Sequence, residues 1–416
     1  VGCGVFKMLE ANAELITARA GRSIEVVAVS ARDRTRDRGI DLRGVAWHDD
    51  ARSMTGDPAI DLVCELIGGE AGIAYELIEG ALRQGKAVVT ANKALLAHHG
   101  ANLASLAEAH EGALFYEAAV AGGIPIVKSL REGLAGNRIT RIAGILNGTC
   151  NYILTTMRET GRAFDDVLSE AQTLGYAEAD PSFDVDGVDA AHKLALLASL
   201  AFGGKPQFDA IHVEGIRYVT PVDFAFAEEF GYRIKLIATA RMLANGLEQR
   251  VHPAMVKQEA PLGQVEGVFN AVVTEGDFVD VAMQEGRGAG EGPTASAVVA
   301  DIMDFARGLR MPVFGIPSAS LADHALVPMA AHRGRYYCRL LVVDKPGVLA
   351  DITAVFRDQV VSIEGLVQRA RNPGQPVPIV LTSHDTEEAG MVAALTRIET
   401  LDAVVEKPCM IRIEPF

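Results

Sequence analysis

An acidic segment that ends in a single lysine is the part of the sequence best suited to chemistry. Five carboxylates precede Lys193 within this segment: Glu178, Asp180, Asp184, Asp186 and Asp189. A helix would place Asp189 and Lys193, which are four residues apart, on one face and within reach of a common ligand. The segment therefore predicts an anionic cradle around a lysine.

The same spacing is also typical of a solvated ion pair. Such a pair contributes only about 0.3 to 0.5 kcal/mol to the stability of a helix. The residues that follow, 194–202, are almost all apolar, so the helix is expected to be buried. Burying a charge costs free energy, so charged residues on a buried helix need an explanation. This context favours a functional interpretation of Asp189 and Lys193.

A second polar group lies at the end of a predicted strand. The strand over residues 86–92 ends in Thr90 and Asn92, and Lys93 follows directly. Ligands bind at the carboxyl ends of parallel strands. A lysine in that position is often merely exposed, so the functional interpretation depends on the acidic segment as independent support.

Two further stretches combine a strand, a glycine turn and the start of a helix, namely residues 117–127 and 141–154. In the second stretch, residues 147–149 could present backbone N–H groups to an anion or could form a plain turn and helix cap. Both interpretations stay open. Cys150 follows, and we interpret it as a small buried hydrophobic residue rather than a nucleophile.

The opening of the chain resembles the tail of a dinucleotide-binding fingerprint. In that motif a glycine-rich turn lets a pyrophosphate lie at a helix N-terminus, and Gly2 and Gly4 would supply its last glycines. A strand over residues 24–31 is followed by Arg32 where NAD-specific folds have an acid, which favours a 2′-phosphate. Alternatively, Gly2 and Gly4 only cap a helix, and Arg32 belongs to a solvated loop of alternating charges.

Composition excludes several classes of protein. A chain of 416 residues predicts two or three domains. Its 54 acidic and 39 basic residues give a net charge of −15, which makes nucleic acid an unlikely partner. Five scattered cysteines without a CxxC pair indicate reduced thiols, and there is no membrane span or signal peptide pattern. We therefore expect a cytoplasmic enzyme that does not bind membranes.

Secondary-structure patterns divide the chain into three regions. Residues 1–115 alternate strand and helix, which is typical of a parallel sheet covered by helices, and from residue 114 longer strands indicate a mixed sheet. The first region has predicted helices at 4–20, 72–84 and 94–111 and strands at 24–31, 60–68 and 86–92. A helix at 292–309 is expected to return to the first region.

Residues 323–334 lack periodicity and are predicted to form a linker to a small last region. The predicted order there is strand 336–343, helix 347–357, strands 360–369 and 377–383, helix 387–401 and strand 404–414.

These motifs, in this order and spacing, resemble homoserine dehydrogenase over residues 1 to about 325. The motifs are VGCGV, TANKALLA, EAAVAGGIPIV, GILNGTCNYIL, AEADPSFDVDGVDAAHKLALLA and EGRGAGEGPTASAVVADI. Residues 335–416, with DKPGVL as the turn after the first strand, resemble an ACT domain, a regulatory module.

The resemblance implies an α/β protein of three domains. A Rossmann-type doubly wound parallel sheet would comprise residues 1–115 plus 293–325, a mixed-sheet α+β substrate-binding and dimerisation domain 116–292, and a ferredoxin-like βαββαβ ACT domain 335–416. The family's fingerprint opens with a strand and two glycines that this sequence lacks, so we expect the first domain to be without its N-terminal strand.

The implied activity is the NAD(P)-dependent interconversion of L-homoserine and L-aspartate 4-semialdehyde in threonine and methionine biosynthesis. Lys193 would donate a proton to the carbonyl oxygen, Asp189 would orient substrate and lysine, and Lys93 would lie close to both reactants. Glu178 would hold the substrate amino group. Asp184 and Gly175 would complete the substrate site.

The resemblance also implies a cofactor site, a cation site and an effector site. NADP, or NAD, would be bound by Val1, Gly2, Arg32, Lys93, Gly288 and Gly290. A monovalent cation, sodium by the family's pattern, would be bound by Glu117, Val120, Gly122 and Ile124. In the ACT domain an amino-acid effector, with threonine as the candidate, would be bound by Asp344, Gly347, Val348 and Leu349.

Other interpretations remain at this point. The chain could be a catalytically silent amino-acid sensor, or another amino-acid dehydrogenase, such as one that acts on a keto acid with ammonia. The last domain could serve oligomerisation alone rather than effector binding. A homodimer or homotetramer is typical of the family.

Overall fold

The first region of the chain forms parallel sheets covered by helices. The structure is a computed structural model that describes residues 1–369 and 372–416. The elements of this region are α1 (Gly2–Ala11), α2 (Ala13–Ala20), β1 (Ala28–Val29), β2 (Ala46–Trp47), β3 (Leu62–Glu65), α3 (Ile73–Arg83), β4 (Ala87–Thr90), α4 (Lys93–Ala109) and β5 (Ala113–Phe115). β1 pairs in parallel with β2, and β3, β4 and β5 form a separate three-stranded parallel sheet.

Two local predictions for this region were wrong in detail. The helix predicted over 4–20 is divided at Asn12, whose φ of −115° and ψ of 21° are not helical. Asparagine side chains compete with the helical backbone for hydrogen bonds, which explains a break there. The strand predicted over 24–31 pairs only at Ala28–Val29, opposite the two residues of β2.

The second region places helices on a large antiparallel sheet. Its elements are α5 (Ile126–Lys128), β6 (Ile139–Ile145), α6 (Gly148–Thr160), α7 (Phe164–Thr173), α8 (Ser182–Val185), α9 (Val188–Phe202), β7 (His212–Val213), α10 (Pro221–Glu229), β8 (Tyr232–Leu243), β9 (Gly246–Lys257), β10 (Phe269–Gly276) and β11 (Asp280–Arg287). The strands lie in the order β11-β10-β6-β8-β9. Helix α9 packs against β6 and β8 on one side and against α4 of the first region on the other.

A long helix, α11 (Glu291–Ala306), returns to the first region, as predicted. Its buried residues Val298 and Val299 share a hydrophobic cluster with Val5 of α1 and Val89 of β4. A side chain at Gly4 would put its Cβ 2.7 Å from Glu291 Cγ, so the glycine allows α1 to approach α11 closely.

The last region is an antiparallel βαββαβ unit. Its elements are β12 (Arg333–Val343), α12 (Val348–Asp358), β13 (Ile363–Val367), β14 (Pro376–Ser383), β15 (Thr386–Glu387), α13 (Glu388–Glu399) and β16 (Cys409–Glu414). Strand order is β16-β12-β14-β13. Strand β12 begins inside the predicted linker, because Arg333 and Gly334 pair with β15, whereas β16 begins five residues later than predicted.

The sheets of the second and last regions are continuous. Strand β16 pairs in parallel with β9, with Arg412 opposite Ala254 and Glu414 opposite Val256. The sequence did not predict this junction. None of the helices within residues 1–369 and 372–416 has both the length and the apolar character of a membrane span.

Candidate active site

A buried ion pair lies at the start of α9. Gly187, with a φ of 86°, precedes the helix, and Lys193 Nζ donates to Asp189 Oδ2 over 2.7 Å from one turn further on. Lys193 Nζ also donates to the carbonyl oxygen of Leu146 at 2.7 Å. An ammonium has three N–H donors, so one remains for a ligand.

A second lysine reaches the same carboxylate from the first region. Lys93 is the first residue of α4, which is capped by Asn92 Oδ1 accepting from Leu95 N over 3.1 Å. Its Nζ lies 3.1 Å from Asp189 Oδ1. Burial opposes ionisation of Asp189, but the two lysines hold the pKa of its carboxyl below the usual range. Asp189 is therefore an ionised bridge between the two regions.

Asn147 is a site residue that sequence reasoning did not single out. Its Oδ1 accepts from Cys150 N over 2.8 Å and caps α6, so the cap interpretation of residues 147–149 is the one the structure supports. Its Nδ2 donates to Asp184 Oδ1 and to Asp189 Oδ2, both over 2.8 Å. The capping pattern was visible in the sequence, but the second use of the side chain was not.

The predicted anionic cradle does not form around Lys193. Of the five carboxylates in the segment, only Asp189 contacts that lysine among the described residues. Asp186 pairs with Arg217, and Asp180 accepts from the backbone N–H of Ser182. A loop of this length disperses its side chains in several directions, which a count of charges does not reveal.

The remaining predicted substrate residues lie at different depths. Asp184 is half-buried, and burial raises the pKa of its carboxyl even though Asn147 donates to it. Glu178 is exposed, in the segment between α7 and α8. Gly175 is exposed with a φ of 74°, where it ends the turn after α7. Neither residue forms a side-chain hydrogen bond or an ion pair with Asp189, Lys193 or Lys93 among the described residues.

Aromatic rings flank the bridge. Lys93 Nζ lies 5.6 Å from the centroid of the Phe183 ring. The buried ring of His192 stacks on Phe208 at 4.1 Å between centroids and faces Phe183 at 5.5 Å. Burial lowers the pKa of His192 to about 4, so its ring is neutral near pH 7. Phe183 therefore lies between Lys93 and the His192 and Phe208 stack.

The edge of the parallel sheet beside Lys93 is suited to a dinucleotide. Glu65, at the end of β3, accepts from the N–H groups of Ile67 and Gly68 and from Thr90 Oγ1 at the end of β4. Asn92 Nδ2 donates to the carbonyl oxygen of Gly69 over 2.7 Å. These bonds order the loops at the carboxyl ends of two parallel strands, where nucleotides bind.

The N-terminus of α1 lies at this same edge. A Cβ built at Gly2 would lie 3.9 Å from Leu66, just after β3, and Val1 has no side-chain hydrogen bond that caps the helix. Uncapped N–H groups of a ten-residue helix fit a pyrophosphate. Arg32 is exposed after β1. The residues present therefore fit a nicotinamide dinucleotide.

Gly288 and Gly290, two of the predicted cofactor contacts, are also required by the local backbone and packing. A Cβ at Gly288 would lie 2.0 Å from Asn270 Oδ1, so this position has no room for a side chain. Gly290 precedes α11 with a φ of 126°, a conformation that favours glycine. A Cβ at Gly122 would lie 2.8 Å from the carbonyl oxygen of Gly288, which places this loop against the predicted cation loop.

The predicted cation loop is buried and tightly bonded. The carboxylate of Glu117 accepts from the N–H groups of Val127 and Lys128 over 2.9 and 2.8 Å. Burial raises its pKa to about 7, with the Asp301 carboxylate as the next cause. Within the described chain, the carbonyl oxygens of Val120 and Gly122 accept no hydrogen bond, whereas that of Ile124 accepts from Ile126 N.

The predicted effector residues surround the turn between β12 and α12. Gly347 precedes α12 with a φ of 95°, and Asp344 Oδ2 accepts from Asn372 N over 2.8 Å. A surface pocket of about 500 Å³ is lined by Asp344, Gly347, Val348 and Leu349 together with Gln368. Val348 is largely buried in the core of this region, so its backbone is the part best placed to meet a ligand.

Comparison with known proteins adds independent information. Family models match three parts of the chain: the homoserine dehydrogenase NAD-binding domain at residues 1–117, homoserine dehydrogenase at 125–303 and the ACT domain at 336–403. Homoserine dehydrogenase from Pseudomonas aeruginosa is 45% identical over 421 residues, which cover 100% of this chain and 96% of that protein.

Solved structures agree with the sequence comparison. The crystal structure of a homoserine dehydrogenase from Thiobacillus denitrificans superposes with a TM-score of 0.94 at 47% identity and covers 100% of this chain and 96% of its own. A hyperthermophilic archaeal homoserine dehydrogenase in complex with NADPH has a TM-score of 0.62 at 27% identity, over 73% of this chain and 93% of its own. The resemblance inferred from the motifs is thereby confirmed, and the chain belongs to the homoserine dehydrogenase family, as an NAD(P)-dependent member with a C-terminal ACT domain.

Proposed function

We propose that Lys193 supplies the proton when this homoserine dehydrogenase reduces L-aspartate 4-semialdehyde to L-homoserine. The single observation that carries the proposal is the buried Asp189 carboxylate held between Lys193 and Lys93. When bound, the nicotinamide cofactor supplies the hydride. The reaction is reversible, and in the other direction the Lys193 amine accepts the proton of the homoserine hydroxyl.

The charges of the bridge suit this reaction. Negative charge develops on the carbonyl oxygen as the aldehyde is reduced, and a nearby ammonium stabilises that charge before it transfers a proton. Asp189 and the Leu146 carbonyl orient two of the three N–H groups of Lys193, which leaves the third for the substrate oxygen. Lys93 adds a second positive charge from the cofactor's side of the cleft.

The remaining substrate contacts are assigned by charge and position. An exposed carboxylate at Glu178 suits the substrate amino group, and the turn at Gly175 lies in the same segment. Asp184 is joined to Asp189 through Asn147, so we assign it to the substrate-binding site as well.

The direct test compares three lysine variants by steady-state oxidation of reduced nicotinamide with aspartate semialdehyde. We expect Lys193→Ala to lose at least about a hundredfold in kcat, since general acid catalysis contributes on that order. Lys93→Ala should lower both kcat and the affinity for cofactor. The control is Lys205→Ala, an exposed lysine just beyond α9 that pairs with Asp323. Wild-type turnover in folded Lys193→Ala would refute the assignment.

We infer that NADP is the preferred cofactor. Arg32 follows β1 at the position where a carboxylate would favour NAD, and a guanidinium binds a 2′-phosphate well. Val1, Gly2, Gly288 and Gly290 are the residues proposed to contact the rest of the dinucleotide, through backbone groups at the starts of α1 and α11.

A monovalent cation, sodium by the family's pattern, is proposed at the loop of Glu117, Val120, Gly122 and Ile124. The carbonyl oxygens of Val120 and Gly122 support it, because they accept no hydrogen bond within the described chain. Bound there, the cation would brace this loop against residues 287–290. Activity that does not change when sodium is replaced by a large organic cation would argue against it.

The ACT domain is proposed to bind an amino-acid effector, with threonine as the candidate, at the pocket beside Gly347. The N-terminus of α12 offers N–H groups to a carboxylate there. We also propose a homodimer or homotetramer in the cytoplasm, and the five cysteines, all free thiols, support a reducing compartment. Sedimentation with and without threonine would test effector and assembly together.

A further inference from the structure

A buried arginine of the ACT domain contacts a segment that packs against the turn before α9. Arg412 lies on β16 with 1% of its surface exposed. Its guanidinium donates two bonds to the carboxylate of Glu214, over 2.8 and 2.9 Å. It also donates to Glu388, at the start of α13 in its own domain. Arg412 thus connects a helix of the ACT domain with the second region.

Glu214 belongs to a short segment held between the two domains. The segment follows β7, and the backbone N–H of Glu214 donates to the carbonyl oxygen of Val251 on β9 over 2.8 Å. Burial opposes ionisation of Glu214, but bonds from His212 and Arg412 keep its pKa below the usual range. The pair is geometrically specific although the Glu214 side chain is 26% exposed, because a bidentate guanidinium holds both carboxylate oxygens.

The same segment is packed directly on the turn that starts α9. The N–H of Ile216 donates to the carbonyl oxygen of Val185 over 2.9 Å. A Cβ at Gly215 would lie 2.4 Å from that carbonyl oxygen, so the two backbones are in contact. Arg217 Nε donates to Asp186 Oδ1 over 2.5 Å. Three consecutive residues after Glu214 therefore determine where residues 185–186 lie.

Gly187 joins this turn to α9 and contacts both. A Cβ at Gly187 would lie 3.0 Å from Val213 Cγ1 and 3.4 Å from the carbonyl oxygen of Glu214. Its own carbonyl oxygen accepts from Ala191 N, in the first turn of α9. Asp189 is two residues further along. A shift of Glu214 would consequently move the carboxylate that joins the two lysines.

We propose that Arg412 is a positioning residue for the active site, which acts through Glu214 and residues 215–217 on the start of α9. The inference rests on the proposed roles of Asp189 and Lys193. It also gives the ACT domain a physical route to the site, since anything that moves β16 or α13 changes the contacts of Arg412. Coupling along this route is tested with a matched pair of arginine variants.

The ACT domain offers a closely matched control in Arg339. This arginine of β12 is also buried, and it also bridges an acid of the second region, Asp223, and an acid of its own domain, Glu406. Asp223 lies on α10, which packs mainly against β8 and α6 rather than against the start of α9. Arg339 and Arg412 are therefore both buried and both bridge two acids, but only the acid bound by Arg412 is next to the segment that packs on the start of α9.

The experiment compares Arg412→Lys with Arg339→Lys in the full-length protein. Lysine keeps the charge and loses the bidentate geometry. Displacement of catalytic groups by a distant change can cost up to a hundredfold, so we expect Arg412→Lys to lower kcat about tenfold or more. The KM for the cofactor should stay within about twofold, because none of its proposed contacts lies between residues 185 and 217. Arg339→Lys should keep kcat within about twofold.

Amide hydrogen exchange supplies a readout that does not depend on turnover. Arg412→Lys should increase exchange in peptides covering 182–193 and leave α4 unchanged, and Arg339→Lys should do neither. If Arg412→Lys does not fold, the same measurements are made on Glu214→Gln. This variant removes the charge of the Arg412 partner and keeps the shape of its side chain. Unchanged kcat and exchange in the folded variant, or an equal loss in Arg339→Lys, would overturn the proposal. Inactivity of Lys193→Ala is a separate result and tests only the proposed chemistry.

Discussion

Asn147 gives the sharpest test of the site, because one side chain performs two separable functions. Its Oδ1 caps α6, and its Nδ2 holds Asp184 and Asp189 together. Serine at an N-cap is about as good as asparagine, whereas alanine costs about 1 kcal/mol. Asn147→Ser should thus keep the cap and lose the amide donor, and Asn147→Ala should lose both.

The magnitudes follow from the bonds that each variant removes. A hydrogen bond to a charged group contributes about 1.5 to 3 kcal/mol, so both variants should lose at least that much from the two carboxylate contacts. Alanine should lose about 1 kcal/mol more than serine, which corresponds to a further fall in Tm of about 2 to 4 °C for domains of this size. Both variants should lose a similar factor in kcat, because the cap does not touch the bridge.

The assays are thermal unfolding and steady-state reduction of aspartate semialdehyde with both variants at the same protein concentration. Asn147→Asp provides a third point, since it keeps the cap acceptor but adds a carboxylate beside Asp184 and Asp189, and we expect it to be the least active. If Asn147→Ser retained wild-type kcat, the amide would not be needed to orient Asp189, and the reasoning about the bridge would be refuted.

Two further predictions concern the cofactor and acid stability. Arg32→Ala should raise the KM for NADPH about tenfold and leave the KM for NADH unchanged, with exposed Arg36→Ala as the control; equal effects on both cofactors would contradict 2′-phosphate recognition. The junction of the ACT domain contains Glu214 and Glu414, whose carboxyl pKa values are held below the usual range despite burial. Their contribution to stability is present above the unfolded pKa of about 4.3 and is lost as pH falls further, so tyrosine near-ultraviolet circular dichroism should begin to change below about pH 4. A signal that is constant to pH 3 would argue against this.

Some parts of the site could be predicted from the sequence and others could not. The pair Asp189 and Lys193 follows from helical periodicity alone, because residues four apart share a face whatever surrounds the helix. The polar end of β4 at Lys93 follows in the same way from the rule for parallel strands. The cradle of five carboxylates does not follow in this way, because Glu178, Asp180 and Asp186 lie outside the helices and the direction of Asp186 is decided by Arg217, a partner distant in sequence.

The sequence by itself determined the family, the order of the three regions and the local pairing within each helix and strand. The tertiary structure alone decided that Lys93 meets Asp189, that Asn147 is shared by two carboxylates, and that Arg412 of the last strand reaches Glu214. Each of these contacts joins residues far apart in the chain, where no backbone period relates their directions. The packing of α4 on α9, of α6 on α8, of β6 on α9 and of β16 on β9 brings them within bonding distance.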